Sequence, residues 1–318
     1  MITPLDNRST PSVSILMVIK NERANLERSL PLMQRQTFQG AVEFVCVDSG
    51  STDGTVEFLE ANGITPHRIA PKDFHHGRTR NYAASLTRHE ILVILSGDAI
   101  PADDRWLENL VAPFEDPRAG AVYGRQIPPA SIRPLRARYL SSEYGETRQV
   151  RDLAREQSVH PGLFRFSNAN AAVRRALWER FPWNERVLLA EDQGQCRDIL
   201  YAGYQVIYEP AAAVIHGHDR SLWGDFQFAV DNGLSLSRLG ILNNPEIGGE
   251  MGYGIRRMRA DLDHYLAQRH FGLAAQSLIS SAAKFMGVQV GKREKQLPKW
   301  FLRRVSEVHA KLEGDAFK

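Results

Sequence analysis

Short apolar runs that alternate with helix-like segments constrain the fold of the first 100 residues. The runs predict buried strands at 13–19, 42–47 and 91–95, with a shorter strand at 64–70. The segments between them predict helices at 24–36, at 55–61 and from about residue 79 onward. Strands and helices that alternate at this spacing favour a parallel sheet joined by right-handed crossovers. The sequence therefore predicts an α/β fold.

Polar side chains follow three of these strands at their carboxyl ends, namely Lys20–Glu22, Asp48 and Asp98. Ligands of parallel α/β sheets bind beyond the carboxyl ends of the strands, so the three ends predict one site. Asp48 is a strong candidate, because a buried strand seldom ends in an acid that has no partner. Its carboxylate suits the two hydroxyls of a ribose. Asp53, in the turn that follows, fits a ligand contact and a helix cap equally well.

The composition is that of an ordinary globular protein, with 43% apolar and 24% charged residues. A formal charge of +3 selects no class of electrostatic partner, and the sequence contains no nucleic-acid-binding motif. The N-terminus does not resemble a signal peptide, and no apolar stretch approaches the length of a membrane span. Two separate cysteines, Cys46 and Cys196, favour a reducing compartment. We therefore expect a cytoplasmic protein.

A basic loop precedes the third predicted helix and contains Lys72, His75, His76, Arg78 and Arg80. Arginine forks and helix N-termini bind diphosphates well, which makes this loop a candidate phosphate site. The alternative is a solvated loop whose arginines pair with nearby acids. A zinc site is disfavoured, because adjacent histidines rarely share one tetrahedral ion and no cysteine accompanies them.

The pattern is less regular beyond residue 120. Segment 135–160 is polar and helix-prone, 166–185 predicts a short strand and a helix, and 189–220 predicts a helix followed by a strand. From about residue 222 onward the sequence predicts helices, with a break at 243–254. The second half therefore adds fewer strands and more helices than the first.

Five motifs in the order VSILMVIKNE, VDSGSTDGT, RTRN, LSGDA and AED resemble the inverting family 2 glycosyltransferases over about residues 12–220. The stretch FHHGRTRN is similar to the F-x-H-G-x-T-R-N segment of bacterial rhamnosyltransferases in this family. The resemblance implies a GT-A fold, a mixed and mainly parallel α/β sheet flanked by helices. It implies a flexible N-terminus at 1–11, a catalytic domain at 12–220 and a helical C-terminal region at 221–318. In that domain, 12–120 is the expected nucleotide-sugar half and 121–220 the expected acceptor half.

The same resemblance implies the substrates and the residues that border them. The implied donor is dTDP-L-rhamnose, and the implied acceptor is a glycan of a bacterial surface polysaccharide, including one carried on a lipid. Asp48 is expected at the base or ribose of the donor. The residues expected to border the donor are Lys20, Asn21, Glu22, Asp48, Asp53, His76, Gly77, Arg80, Asn81, Gly97 and Arg125.

A divalent ion is expected because the transfer releases a diphosphate, whose developing charge Mg²⁺ or Mn²⁺ offsets. Members of the family usually carry a D-x-D motif after the fourth strand; here Ser96 takes the place of the first acid and Asp98 remains. His216 and His218 lie at i and i+2 of an extended segment, so their side chains point the same way and are further candidate ligands. The resemblance implies that a histidine of this region completes the metal site, with His216 favoured by position.

Glu191 and Asp192 begin a predicted helix in the second half of the chain. An inverting transfer needs a carboxylate that accepts the proton of the acceptor hydroxyl. The resemblance implies that Asp192 is this base and that Glu191 orients it or the acceptor; the alternative is an acidic helix N-terminus. Asp103 and Asp104 fit the start of the helix that contains RWLENL better than they fit a metal site.

A basic C-terminal segment, Lys284–Lys311, holds eight Lys or Arg and two Glu around Trp300, Phe301 and Leu302. Contact with an anionic membrane surface explains this composition. A packed helix with a solvated basic face explains it equally well. A cytoplasmic protein that touches the inner face of the membrane is therefore one of two expectations.

Two other functions stay open at this point. A non-catalytic sugar-nucleotide or glycan-binding protein of GT-A fold agrees with the missing D-x-D acid. A nucleotidyltransferase would use a similar sheet, but it needs a Gly-rich basic loop after the first strand, and VIKNERAN contains no glycine.

Overall fold

The apolar runs form strands of one sheet in the computed structural model of the protein, which describes residues 11–248 and 250–307. The strands are β1 (Val13–Ile19), β2 (Val42–Asp48), β3 (His67–Arg68), β4 (Ile91–Leu95), β5 (Ile100–Pro101), β6 (Ala119–Ile127), β7 (Gln149–Arg151), β8 (Asn170–Arg174) and β9 (Gln205–Ile215). Their order along the sheet is β3-β2-β1-β4-β8-β6-β9-β5, and β7 pairs with β9. The predicted α/β fold is confirmed.

Helices flank the sheet and form the C-terminal part of the described chain. They are α1 (Arg23–Gln34), α2 (Thr55–Ala61), α3 (His76–Ser85), α4 (Trp106–Val111), α5 (Pro134–Glu143), α6 (Arg175–Arg180), α7 (Glu191–Tyr201), α8 (Leu222–Arg238), α9 (Glu250–Ala267), α10 (Phe271–Lys292) and α11 (Lys299–Val305). Helix α3 begins earlier than the predicted start at residue 79. The reason is a cap, since the His75 side chain accepts a hydrogen bond from Arg78 N at 3.3 Å.

The sheet is parallel in its first half and mixed in its second. Strand β1 pairs in parallel with β2 and β4, whereas β8 runs antiparallel to β4 and β6. The register places Ile19 beside Asp48, so β1 and β2 end at the same edge, as predicted. The strand predicted at 64–70 is shorter than expected. Only His67 and Arg68 pair with β2, and both are exposed; the residue before them is Pro66, which has no backbone N–H to extend the ladder.

Two hydrophobic layers cover the faces of the sheet. Strand β1 contributes Leu16 to one layer and Ile15 and Met17 to the other, because successive side chains of a strand point to opposite faces. Trp183 packs in the first layer and Trp106 in the second, and both are almost completely buried. With both faces covered, functional side chains collect at the strand ends.

Strand β9 departs from regular pairing with β6 at one point. Gly124 pairs with Glu209, yet the next residue, Arg125, pairs with Ala213, so β9 bulges between these pairs. Glycine is required here because a Cβ at position 124 would lie 2.0 Å from a carbonyl oxygen of β9. Beyond the bulge, His216 N donates to the last carbonyl of β6 at 3.0 Å. The bulge thus sets which residues of the two strands meet at the site.

The C-terminal helices pack on the sheet and on one another. Helix α8 packs along α10, and its end enters the core beneath the sheet through Leu236 and Leu239. Helix α11 buries Leu302 and Val305, whereas Trp300 is exposed. No helix in the described ranges combines the length and the apolar character that a membrane crossing requires.

Parts of two sequence predictions lie outside the described residues. These are residues 1–10 of the predicted flexible N-terminus and the end of the basic segment, which includes Lys311. The predicted domain limits at 12 and 220 and the two halves that divide at 120 stay predictions.

Candidate active site

The loops after β1 and β2 are held together by side-chain hydrogen bonds. Asn21 has a left-handed φ of +57°, and its backbone N donates to Ser51 Oγ at 2.8 Å. Glu22 N donates to Thr55 Oγ1 at 2.9 Å. These contacts bring the predicted donor residues Asn21 and Glu22 next to the acidic loop that follows β2.

Asp48 and Asp53 shape that acidic loop. Asp48 is buried, and its Oδ2 accepts hydrogen bonds from two backbone N–H groups of the following turn, at 2.9 and 3.1 Å. Asp53 accepts from Thr55 N at 3.0 Å and from Arg23 N at 3.1 Å. These bonds match the turn-and-cap alternative for Asp53. Contact of either carboxylate with a nucleotide stays a prediction.

Helix α3 packs closely on the segment that follows α6. The Asn81 amide donates to Trp183 O and to Glu185 Oε1, both at 2.9 Å, and accepts from Trp178 Nε1 at 3.0 Å. A Cβ on Gly77 would lie 2.5 Å from a backbone carbonyl of this segment. Asn81 therefore holds α3 against this segment, and Gly77 allows the close approach. Donor contact by either residue stays a prediction.

Gly97 brings the end of β4 against Glu22. A Cβ at position 97 would lie 2.7 Å from Glu22 Cγ and 3.0 Å from Ile19 Cγ2, so only glycine fits. Burial raises the pKa of Glu22, the hydrogen bond from Asn25 opposes the shift, and the negative charge of Asp98 adds to it. The ends of β1 and β4 therefore place Glu22, Gly97 and Asp98 side by side.

Asp98, His216 and His218 form what we call the His–Asp cluster. One ligand atom of each residue lies within 4.8 Å of the others. Asp98 Oδ2 is 2.7 Å from His218 Nε2 and 3.5 Å from His216 Nε2. Burial opposes ionisation of Asp98, but hydrogen bonds from both histidines outweigh it and hold its pKa well below the usual range. A carboxylate and two imidazoles gathered in this way fit a divalent ion that keeps water on its remaining positions.

Gln126 orients one histidine of the cluster. Its Oε1 accepts from His216 Nδ1 at 2.8 Å, and its Nε2 donates to Ser167 Oγ at 2.9 Å. Because Nδ1 keeps its proton toward Gln126, Nε2 is the nitrogen that can give up its proton toward Asp98 and offer a lone pair to a cation. The sequence pattern did not reveal this role, because Gln126 and His216 meet only through the pairing of β6 with β9.

Glu191 and Asp192 begin α7 after Ala190, whose φ of +59° is left-handed. Arg80 of α3 pairs with Glu191, and both side chains are largely buried. Asp192 Oδ2 accepts a hydrogen bond from Asn168 N at 3.2 Å. Burial and the charge of Glu191 raise the pKa of Asp192 well above the usual range, although Arg80 lowers it. A carboxylate with a raised pKa suits a general base.

Two adjacent residues connect Asp192 to the His–Asp cluster. Ser167 Oγ accepts from Gln126, which holds His216, and Asn168 N donates to Asp192. The predicted base and the predicted metal ligands are therefore parts of one hydrogen-bonded site.

Three other predicted donor residues make contacts of their own or lie on the surface. Arg125 pairs with Glu146 at 3.1 Å, and the His76 ring packs edge-on against Phe74 with the ring centroids 4.9 Å apart. Lys20 is exposed at the end of β1. Their roles toward a donor stay predictions.

Solved structures of similar fold include a mannosyltransferase complex and a complex with UDP. The mannosyltransferase PcManGT from Pyrobaculum calidifontis, in complex with GDP-Man and Mn²⁺, has a TM-score of 0.56 and 20% identity over 98% of this chain and 88% of that one. TarS of S. aureus, in complex with UDP, has a TM-score of 0.52 and 15% identity over 90% of this chain and 91% of that one. Both likenesses support the predicted GT-A fold.

Two relatives are similar in sequence over most of their length. The O-antigen chain rhamnosyltransferase RfbN of Salmonella typhimurium is 33% identical over 80% of this chain and 82% of its own. The O-antigen chain rhamnosyltransferase WbaN of Salmonella anatum is 31% identical over 83% of this chain and 84% of its own. The family model described as glycosyl transferase family 2 matches residues 14–181. The chain therefore belongs to glycosyl transferase family 2.

Proposed function

We propose that the protein is an inverting rhamnosyltransferase that moves L-rhamnose from dTDP-L-rhamnose to a glycan acceptor in O-antigen synthesis. The names of the two relatives support the sugar and the polymer. The observation that carries the reaction type is the link from Asp192 through the adjacent residues Asn168 and Ser167 to Gln126 and His216, because it joins the proposed base to the proposed cation site. Neither alternative function explains why these two groups are joined.

Asp98, His216 and His218 are the proposed ligands of Mg²⁺ or Mn²⁺. The PcManGT complex, which contains Mn²⁺ beside GDP-Man, supports an ion in this fold. When bound, the ion offsets the charge that develops on the departing diphosphate. Asp98 stays ionised because of its low pKa, and Gln126 holds His216 with Nε2 toward the carboxylate.

Asp192 is the proposed base, and Arg80 and Glu191 set its environment. The acceptor hydroxyl transfers its proton to Asp192 as its oxygen forms a bond to the anomeric carbon, while the bond from that carbon to the diphosphate oxygen breaks. Attack from the face opposite the leaving group inverts the anomeric configuration. Arg80 neutralises Glu191 and keeps the pKa of Asp192 from rising further.

Most of the residues proposed to border the donor lie at the ends of β1, β2 and β4 or in the loops that follow them, and the others lie on α3 and in β6. The shared edge of β1, β2 and β4 supports this assignment, since Glu22 and Gly97 reach the His–Asp cluster from that edge. They are Lys20, Asn21, Glu22, Asp48, Asp53, His76, Gly77, Arg80, Asn81, Gly97 and Arg125.

A cytoplasmic location with contact between the C-terminal helices and the inner membrane face is part of the proposal. Exposed apolar side chains such as Phe271, Ile279 and Trp300 support it, together with the basic residues around α11. This surface would bring the site close to an acceptor carried on a lipid.

The first test is the choice of donor. Water can take the place of the acceptor hydroxyl and hydrolyse the donor slowly. The release of dTDP can therefore be measured without an acceptor, in the presence of Mn²⁺. We expect release from dTDP-L-rhamnose to exceed nucleotide release from GDP-mannose and UDP-GlcNAc by at least about tenfold. Equal rates, or a preference for another donor, would refute the proposed sugar, and tight binding without any turnover would favour the non-catalytic alternative.

The second test replaces the base. In Asp192→Asn we expect the transfer rate to fall by at least about a hundredfold, because the amide cannot accept the acceptor proton. Donor affinity should be unchanged when measured by calorimetry. The matched control is Asp198→Asn on the same helix, whose carboxylate pairs with Arg197 instead and should be dispensable.

The pH dependence of the wild-type enzyme belongs to the same test. Asp192 accepts a proton only when it is ionised, so the transfer rate should rise with pH through the raised pKa of this group. On acidification the rate should fall at pH values well above those at which an ordinary aspartate is protonated. The residual rate of Asp192→Asn should lack this dependence. A variant that retains wild-type turnover, or the same acid limb, would rule out Asp192 as the base.

The third test concerns Gln126. In Gln126→Ala we expect the affinity for Mn²⁺, measured by electron paramagnetic resonance of the free ion, to weaken by about ten- to a hundredfold, because His216 loses its orienting bond. The control is Gln149→Ala, which alters an exposed glutamine on β7. Unchanged Mn²⁺ affinity in Gln126→Ala would show that His216 does not need this contact or does not bind the ion.

A further inference from the structure

A cavity of about 360 Å³ lies between α5, α8 and α10, beside the segment that follows His218. We call it the basic pocket, because its charged side chains are four cations and two acids. The cations are Arg133, Arg136, Arg220 and Lys284, and the acids are Asp219 and Asp225. Apolar side chains, among them Leu222, Leu273 and Ile279, complete its wall.

The cations of the basic pocket are only partly neutralised. Arg133 and Lys284 each pair with an acid of the pocket, at 3.3 and 3.5 Å. Arg136 and Arg220 form no salt bridge with any residue in the described ranges, although both are half-buried. Asp225 and Glu307 act on Arg220 from beyond salt-bridge distance, so both half-buried guanidinium groups can still pair closely with an anion.

The positive charges are also close to one another. Arg136 Cζ and Lys284 Nζ each lie 4.7 Å from the centroid of the Tyr139 ring. Burial lowers the pKa of Lys284, Asp225 opposes this shift, and the charge of Arg136 lowers the pKa further. A bound anion would relieve the repulsion between these side chains and hold them in place.

The basic pocket adjoins the His–Asp cluster on the acceptor side. Arg136 Nε donates to His218 O at 3.0 Å, and Arg133 N donates to Asp219 Oδ2 at 3.1 Å. In the order of the sheet, β9 and this segment lie on one side of β4, whereas β1 and β2, with the proposed nucleotide residues, lie on the other. The pocket is therefore placed for a group of the acceptor.

An exposed apolar stripe runs along α10 from the mouth of the pocket. Phe271, Leu278 and Phe285 follow one another at intervals of seven residues, and Ile279 and Met286 lie beside them. Ile279 also lines the pocket, and its side chain is 54% exposed. Cationic and apolar surfaces that meet in this way suit a phosphate joined to an apolar chain.

We propose that the basic pocket binds the phosphate or diphosphate group of an acceptor whose sugar is carried on an apolar chain. The inference rests on the proposed function, because the sugar of that acceptor has to reach Asp192. Arg136 and Arg220, which form no salt bridge within the described ranges, contact the anion, Lys284 adds a third cation, and the stripe on α10 receives the first part of the chain.

The test measures binding without turnover, so it does not depend on the donor or on the reaction. Decyl diphosphate, inorganic diphosphate and phosphatidylglycerol vesicles are titrated in EDTA, which keeps divalent ions from recruiting a diphosphate to the His–Asp cluster. The variants are the double substitution Arg220→Gln with Lys284→Gln, the charge-preserving Lys284→Arg, and the control Lys295→Gln, an exposed lysine outside the pocket. Thermal unfolding of each variant checks that it is folded.

We expect decyl diphosphate to bind the wild type more tightly than inorganic diphosphate does, because its chain covers apolar surface. The double variant should lose at least about tenfold in affinity for decyl diphosphate, while Lys284→Arg and Lys295→Gln stay near the wild type. Vesicle binding should fall much less in the double variant than decyl diphosphate binding does. Unchanged affinity in a folded double variant would overturn the proposal, and a parallel loss of vesicle binding would assign the pocket to membrane lipid instead.

Failure of the donor test with intact decyl diphosphate binding would refute the proposed function and leave the anion site standing.

Discussion

The hydrogen bond between His216 and Gln126 is the contact on which the arrangement of the site depends. It fixes the ring of His216 relative to Asp98, and through Ser167 and Asn168 it connects the cation site to Asp192. In the proposed reaction, the metal stabilises the departing diphosphate and the base deprotonates the attacking hydroxyl, on opposite sides of one anomeric carbon. Because the two are joined by short, buried segments, their separation is set by the fold.

That contact exists because of an irregularity in the sheet. The bulge of β9 beside Gly124 shifts the register so that Gln126 lies opposite Val214, two residues before His216, within reach of the His216 ring. A side chain at Gly124 would collide with β9, so the bulge and the glycine require each other. The residues of β6, AGAVYGRQI, give no sign of the shift. The role of Gln126 was therefore not predictable from the sequence, although the three cluster residues were.

The sequence predicted best where local chemistry and topology agree. Parallel strands end at one edge, so the meeting of Glu22, Gly97 and Asp98 followed from the strand pattern alone. Asp103 lies just before α4, as predicted, but its carboxylate accepts from Arg105 N at 2.9 Å and so forms a turn instead of capping the helix. Asp53 was harder to assign, because caps and ligand contacts use the same residue types and only the folded structure shows what the carboxylate touches.

The central claim is that one carboxylate, Asp192, drives a single displacement at the anomeric carbon. The most direct measurement is the anomeric configuration of the rhamnosyl product formed from dTDP-L-rhamnose, determined by nuclear magnetic resonance from the one-bond carbon–proton coupling at C1. The account predicts a product of configuration opposite to that of the donor. A product that retains the configuration of the donor would require two displacements and would contradict the role assigned to Asp192.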